Sequence, residues 1–273
     1  ERSKNKGSLT GIPTGFRDLD RILLGMQRKD LILLAARPSV GKTALAVNIA
    51  LNAARNDHRV AIFSLEMSKA QLAQRMLSSL SLINLKNLIS GDIDEWEDIF
   101  QASSIIAEKS IYIDDTAGIS ITELRSKCRR LKADGGLDFI MIDYLQLMTS
   151  EGRNENRQQE ISTISRNLKA LAKELDVPIL ALSQLSRDSE KSGRKPRLSD
   201  LRESGAIEQD ADVVILLFRE DYQNEEAEVK NQIELIIAKH RNGETGSVEL
   251  NFIKECTRFI DLETNMDKEL FNG

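Results

Sequence analysis

An apolar run, Leu31 to Ala35, leads into Ala36-Arg37-Pro38-Ser39-Val40-Gly41-Lys42-Thr43, which leads in turn into a helix-like segment, Ala44 to Ala50. No other stretch constrains the chain as strongly, because strand, loop and helix in that order are what a phosphate-binding P-loop requires. The loop's N–H groups and the helix N-terminus converge on one point, a site that favours polyphosphate. Arg37, Ser39, Val40, Gly41, Lys42, Thr43 and Ala44 are therefore the expected nucleotide-binding residues. Lys42 is expected to reach the β- and γ-phosphates, and the Thr43 hydroxyl to ligate Mg²⁺. One position departs from the strict pattern: Ala36 stands where its first Gly belongs.

Apolar runs recur at Val60 to Leu65, Ile111 to Ile113, Phe139 to Ile142, Ile179 to Leu182 and Val213 to Phe218. Several are apolar throughout, the pattern of strands buried on both faces of a parallel sheet. Helix-like stretches alternate with them: Ala44 to Asn56, Ser68 to Ser81, Ile93 to Glu108, Ile121 to Asp134 and Glu155 to Leu175. The alternation predicts an α/β domain, a P-loop NTPase with a mostly parallel central sheet flanked by helices. After residue 230 the pattern changes to close-spaced strands, Gln232 to Ala238, Ser247 to Ile253 and Thr257 to Leu262, with turns at Asn242-Gly243 and Lys254-Glu255. That predicts an antiparallel C-terminal extension. Residues 1–15 read as a linker, Phe16 to Leu24 as a short amphipathic helix, and Arg153 to Arg157 and Ser186 to Arg197 as polar loops. There is no internal repeat.

Composition narrows the function classes. The 273 residues leave room for a sizeable core, and 41% apolar with 30% charged residues is the balance of a soluble domain. No apolar run approaches the ~20 residues of a membrane span, and no leader precedes a cleavage site. The chain opens Glu1-Arg2-Ser3 without a Met, as a fragment of a longer protein would. Cys128 and Cys256 make no disulfide framework, and His58 and His240 make no His-rich metal site. A cytoplasmic location without membrane contact is expected. The net charge of −5 argues against a globally basic nucleic-acid coat, although a ring or groove can concentrate positive charge locally. With 4% aromatic residues, backbone phosphates are a better handle on nucleic acid than stacked bases.

Beyond the P-loop, Phe139-Ile140-Met141-Ile142 runs into Asp143. After a P-loop, an acid at such a strand end suits the metal-side carboxylate better than a cap, and Thr43 plus one acid suffices for Mg²⁺. Hydrolysis also needs a group to position the attacking water. Tyr144, not Glu, follows Asp143, which leaves Glu66 in Ser64-Leu65-Glu66-Met67-Ser68. In a parallel sheet the C-terminal strand ends share one crevice, so Glu66 is either the catalytic acid or a helix-start acid. Gln184, just past Ile179 to Leu182, is either a γ-phosphate sensor or a solvated loop residue.

These phrases occur in a fixed order: Thr10 to Gly15, Ala36 to Thr43, Ser64 to Ser68, Ile142 to Gln146, Ala181 to Arg187, Arg202 to Asp210 and Lys239 to Gly243. In that order the chain closely resembles, over residues 8–263, the C-terminal motor domain of the DnaB-type bacterial replicative DNA helicases, a branch of the RecA-like ATPases. Ala36 is a usual variant there. The resemblance implies a RecA-like motor domain over residues 16–263, with a tail at 264–273. Recombination- or clock-type RecA-like ATPases share the P-loop but are not expected to carry Ser64 to Ser68 together with Lys239 to Gly243. A nucleotide-gated binding module without useful hydrolysis has no need of Glu66, Gln184 and Arg241 together.

The resemblance also assigns roles. It makes Glu66 the catalytic glutamate, Asp143 the metal-side aspartate and Gln184 the γ-phosphate sensor, with ATP and Mg²⁺ as cofactors. Lys239 and Arg241 match a pair that enters the neighbouring subunit's nucleotide site, which makes hydrolysis depend on assembly. The bland reading of Lys239 to Gly243 is a basic hairpin turn, and His240, where relatives often have Gln, has no assigned role. Arg202, Glu203 and Gly205 match the segment that meets DNA in the channel of a hexamer, with Arg153 in a second such loop. The implied activity is 5′ to 3′ translocation on single-stranded DNA and unwinding at the replication fork. The implied partners are a homo-hexamer, primase and a helicase loader, the last two engaged through regions partly missing from this chain.

Overall fold

The computed structural model describes residues 9–148, 157–185, 194–221 and 231–262; of Arg157, Gln158 and residues 202–206 it describes the backbone alone. The described strands form one nine-stranded sheet in the order β3-β2-β4-β5-β1-β6-β7-β8-β9. Its parallel part comprises β1 (Leu31–Ala36), β2 (Val60–Ser64), β3 (Ile111–Asp114), β4 (Phe139–Asp143), β5 (Ile179–Gln184) and β6 (Val213–Phe218). β7 (Gln232–His240), β8 (Gly246–Ile253) and β9 (Arg258–Asp261) continue it antiparallel.

Burial follows from that split. Every residue of β1 is buried, and alternate side chains enter opposite cores. Ile32, Leu34 and Ala36 pack with α2 (Lys42–Arg55) and α3 (Lys69–Ser81), whereas Leu31, Leu33 and Ala35 pack with α6 (Ile121–Asp134) and α7 (Arg157–Leu175). A strand covered on both faces needs apolar residues at every position. β7 instead alternates buried and half-buried residues along most of its length, so only one face meets the core. The α/β sheet and its antiparallel extension agree with the sequence expectation.

Two expectations are corrected, and one element is added. Residues 9–15, read as linker, are folded onto the domain: Ile12 bridges Met26, and buried Asp20 accepts Thr14 N–H at 2.8 Å and Gly15 N–H at 3.1 Å. From inside α1 (Arg17–Leu23), this carboxylate gathers the backbone donors of the preceding turn and pins it to the helix. The helix expected over 93–108 starts later, as α5 (Trp96–Ala107). A short helix, α4 (Leu85–Ser90), was not anticipated; it buries no side chain fully, so its sequence carries no core stripe.

Candidate active site

The P-loop leaves β1 at Ala36 and turns into α2 at Lys42. Two residues of the turn have left-handed backbone, Ser39 at φ 63° and Gly41 at φ 117°. Gly41 is constrained twice, because a Cβ there would also lie 3.3 Å from Phe259 Cζ and 3.6 Å from Phe252 Cε1. Those two rings stack at 4.4 Å, so the extension forms the floor beneath the loop.

Parallel register brings the other strand ends alongside. Ala36 is in register with Gln184 of β5, and Ser64 of β2 with Asp143 of β4. Leu65 N–H donates to Asp143 O at 2.7 Å, which ties the Glu66 segment to the end of β4. Ser64 Oγ donates to Met67 O at 2.7 Å and accepts Met67 N–H at 3.2 Å. One residue on, Ser68 and Gln71 form a capping box that starts α3. Glu66 is thus held between two local turns, exposed to the cleft.

Asp143 is fully buried, and its Oδ2 accepts the Thr43 hydroxyl at 2.7 Å. The Lys42 ammonium stands 3.9 Å from Oδ1 and 4.6 Å above the Tyr144 ring. Oδ1 itself is buried without a hydrogen-bond partner. A carboxylate oxygen left in that state, beside a hydroxyl ligand, is the donor set a divalent cation takes. Burial pushes the Asp143 carboxyl above its usual range, opposed by Lys42, the Thr43 hydroxyl and Arg75. Burial likewise lowers the Lys42 ammonium, opposed by Asp143 and Glu66.

The cleft above these groups has a volume of about 550 Å³. The P-loop, Glu66 and Gln184 line it, as sequence reasoning expected. Arg75, Arg219 and Lys254 line it too, and sequence reasoning missed all three. Arg75 projects from α3 toward Asp143 and Glu66, whose charges partly offset the lowering of its pKa by burial. Arg219 and Lys254 converge on Asp221 at 2.7 and 3.2 Å. Burial alone would raise the Asp221 carboxyl, but Arg219, the Asn231 N–H and Lys254 outweigh it and hold it at about 2. In sequence Arg75 is one of two cations, with Lys69, on the helix that follows Glu66, and nothing in its local pattern sets it apart.

Lys239 and Arg241 do not join the cleft of their own subunit. They lie beside Val214 and Asp212, at the N-terminal end of β6, and the P-loop leaves the opposite, C-terminal end of β1. The expected hairpin is present, with β7 and β8 joined by a turn after His240, whose ring covers Gly243. Arg202 and Glu203 belong to a 3₁₀ turn, Leu198–Ser204, and Gly205 opens α8 (Gly205–Asp210). That segment is therefore helical backbone, not an open loop. Arg153 and the 264–273 tail lie outside the described residues. Among the described residues, no helix is long and apolar enough to cross a membrane.

The sheet order, the P-loop at its centre and the acid at the end of β4, one strand (β5) removed from β1, define a P-loop ATPase domain of the RecA-like type. The family model for the DnaB-like helicase C-terminal domain matches residues 11–261, and the chain belongs to that family. It is 55% identical over 267 residues to the replicative DNA helicase DnaC of Bacillus subtilis (strain 168) and, equally, to the replicative DNA helicase DnaB of Geobacillus stearothermophilus. Each match covers 96% of this chain and 59% of the relative, so the chain spans about three-fifths of these proteins' length. A solved ATPase domain superposes with a TM-score of 0.93 at 44% identity, covering 96% of this chain and 95% of that one. A DnaB-like replicative helicase, solved in a study of its interactions with primase, gives 0.92 at 44% identity, covering 96% and 64%.

Proposed function

We propose that this chain is the ATP-hydrolysing motor domain of a replicative DNA helicase. It works in a homo-hexameric ring that moves 5′ to 3′ on single-stranded DNA and unwinds the duplex at the replication fork. The observation that carries the proposal is the opposed placement of two sets of phosphate-seeking groups. Lys42 and Thr43 follow the C-terminal end of β1, and Lys239 and Arg241 lie by its N-terminal end, beside Asp212. Five residue steps of about 3.3 Å separate those ends, beyond the reach of either side chain. In a head-to-tail ring, one subunit's Lys239 and Arg241 face the next subunit's cleft, and repetition of the contact closes the assembly.

Within the cleft, Lys42 and the P-loop N–H groups hold the β- and γ-phosphates of ATP. Thr43 and Asp143 would hold Mg²⁺, which would supply charge neutralisation for the phosphates. Glu66 orients the attacking water and takes its proton. Arg75 and Gln184 face the γ-phosphate, the first as a cation and the second as an amide sensor on β5. The neighbour's Arg241, with its Lys239, neutralises charge that develops on the phosphoryl oxygens, worth ~10³–10⁵ in rate for an arginine supplied in trans. Arg202 and the main-chain N–H groups of the Glu203 to Gly205 segment, with Arg153, meet DNA phosphates, a contact without sequence preference that suits a translocating motor. Primase and a helicase loader are partners of the longer protein, which acts in the bacterial cytoplasm.

A strand-displacement assay on forks tailed at either end tests the reading, run on this chain and on a version that includes the region upstream. Unwinding is expected only with a 5′ tail on the translocated strand and with hydrolysable ATP. Displacement of equal efficiency from either tail would overturn the polarity, and displacement without ATP would overturn the motor.

A further inference from the structure

Asp212, just before β6, joins three elements. Its Oδ2 accepts the Leu31 N–H at the start of β1 at 2.8 Å and the Lys169 ammonium of α7. Its Oδ1 lies 3.4 Å from the Arg241 guanidinium, and its main-chain oxygen accepts the Arg241 N–H at 2.9 Å. The Arg241 guanidinium also donates to Gln209 O. Lys239 Nζ donates to Glu208 O, and to Gln209 O at 3.3 Å. These carbonyls close α8, and a helix C-terminus carries partial negative charge that favours cations.

All of these acceptors belong to the same chain as the two cations. Bonds to Asp212 and to α8 must therefore be exchanged for phosphoryl oxygens when the cations engage a neighbour's nucleotide. The other end of α8 is Gly205, in the segment assigned to DNA. Six helical residues span only about 9 Å, so movement of one end is transmitted to the other.

We propose that Asp212 and the carbonyl end of α8 form a dock within the subunit for Lys239 and Arg241, with Asp212 as the positioning residue. Strand contact at the opposite end of α8 loosens the dock and frees the cations for the neighbouring site. The inference rests on the trans role of Arg241 proposed above. Of the polar contacts to the Asp212 side chain, the Arg241 one is the longest, so it is the first to break.

The test is steady-state ATP turnover of the assembled chain, with and without an oligothymidine strand. It compares wild type, Asp212→Asn, Arg241→Ala and the double variant. Asp212→Asn is expected to raise the strand-free rate by about three- to fivefold while the stimulated rate holds, so that stimulation by the strand shrinks. The rise should vanish in the double variant. An unchanged strand-free rate, or both rates falling in proportion, overturns the dock. If Arg241→Ala alone turns over ATP like wild type, the trans assignment fails instead, a separate result. Should Asp212→Asn fail to fold, hydrogen exchange on the wild-type chain decides. The strand should alter protection at 207–212 and at 239–242 together, and a change confined to the first half of α8 overturns the proposal.

Discussion

Thr43 and Asp143 are 100 residues apart in sequence and joined by a 2.7 Å hydrogen bond from hydroxyl to carboxylate. The bond leaves Asp143 Oδ1 buried and without a hydrogen-bond partner, 3.9 Å from the Lys42 ammonium. Asp143→Asn keeps the shape and removes the charge that a divalent cation needs. The apparent Mg²⁺ requirement for ATP turnover should rise at least about tenfold, and turnover should fall. Thermal stability in metal-free buffer should not drop, because a buried charge is lost while the amide oxygen still accepts the Thr43 hydroxyl. A magnesium titration that superimposes on wild type would remove Asp143 from the metal site.

Lys42 and Glu66 share the cleft but should fail differently. Lys42→Ala deletes a phosphate contact, so nucleotide affinity and turnover should both collapse. Glu66→Gln leaves the phosphates held and removes the proton acceptor, so binding should persist while turnover falls by about 10²-fold or more. Fluorescent-nucleotide binding measured beside phosphate release separates the two outcomes. Loss of binding in Glu66→Gln would make Glu66 a structural residue of the loop.

Asn48 of α2 holds the end of the extension. Its amide donates to Thr257 O at 3.0 Å, and its oxygen accepts the Phe259 N–H at 2.9 Å. Asn48→Leu keeps the branching at Cγ but orphans both main-chain groups in a buried position. The cost should be about 2–4 kcal/mol, read as a lower midpoint in urea unfolding. Phe259 lies under Gly41, so nucleotide affinity should weaken as well. A midpoint unchanged within error would show that the main chain finds other partners.

Asp30 gives a pH dependence. Burial first, then the nearby Asp212 charge, raises its carboxyl to about 6 against the usual 3.8, despite Lys169 and Arg241. The folded state therefore binds a proton more tightly than the unfolded chain, and stability from this group falls as pH rises from 3.8 to about 6. Asp30→Asn should stabilise the chain above pH 6, and the gain should shrink through that window and vanish below it. Melting temperatures taken across the range check this; a gain independent of pH would assign the effect to packing alone.

Much of this was legible in the chain itself. Leu31 to Ala36 is buried on both faces, and a strand in that position must be apolar throughout, so it announced itself. Glu66, Asp143 and Gln184 could be placed because parallel strands deliver their C-terminal ends to one crevice. Arg75, Arg219 and Lys254 were not legible, since each sits in ordinary local sequence and only packing brings it to the cleft. The start of α5 was misplaced because its apolar residues do not mark a buried face: Trp96 is 52% and Phe100 67% exposed. Thr10 to Gly15 looked like linker because the hydrogen bonds that Asp20 accepts from Thr14 and Gly15 leave no periodic trace.

The cleft's walls run from Ala36 to Thr257, almost the length of the chain. A ribosome making roughly 5–20 residues per second needs about 10–45 s to pass from the P-loop to the strands beneath it. For that interval the emerging polypeptide has the signature of a nucleotide binder without the floor of its binding site. ATP in the cell can reward only the finished domain, which makes the nucleotide a late arbiter of folding and the last thirty described residues the ones it certifies.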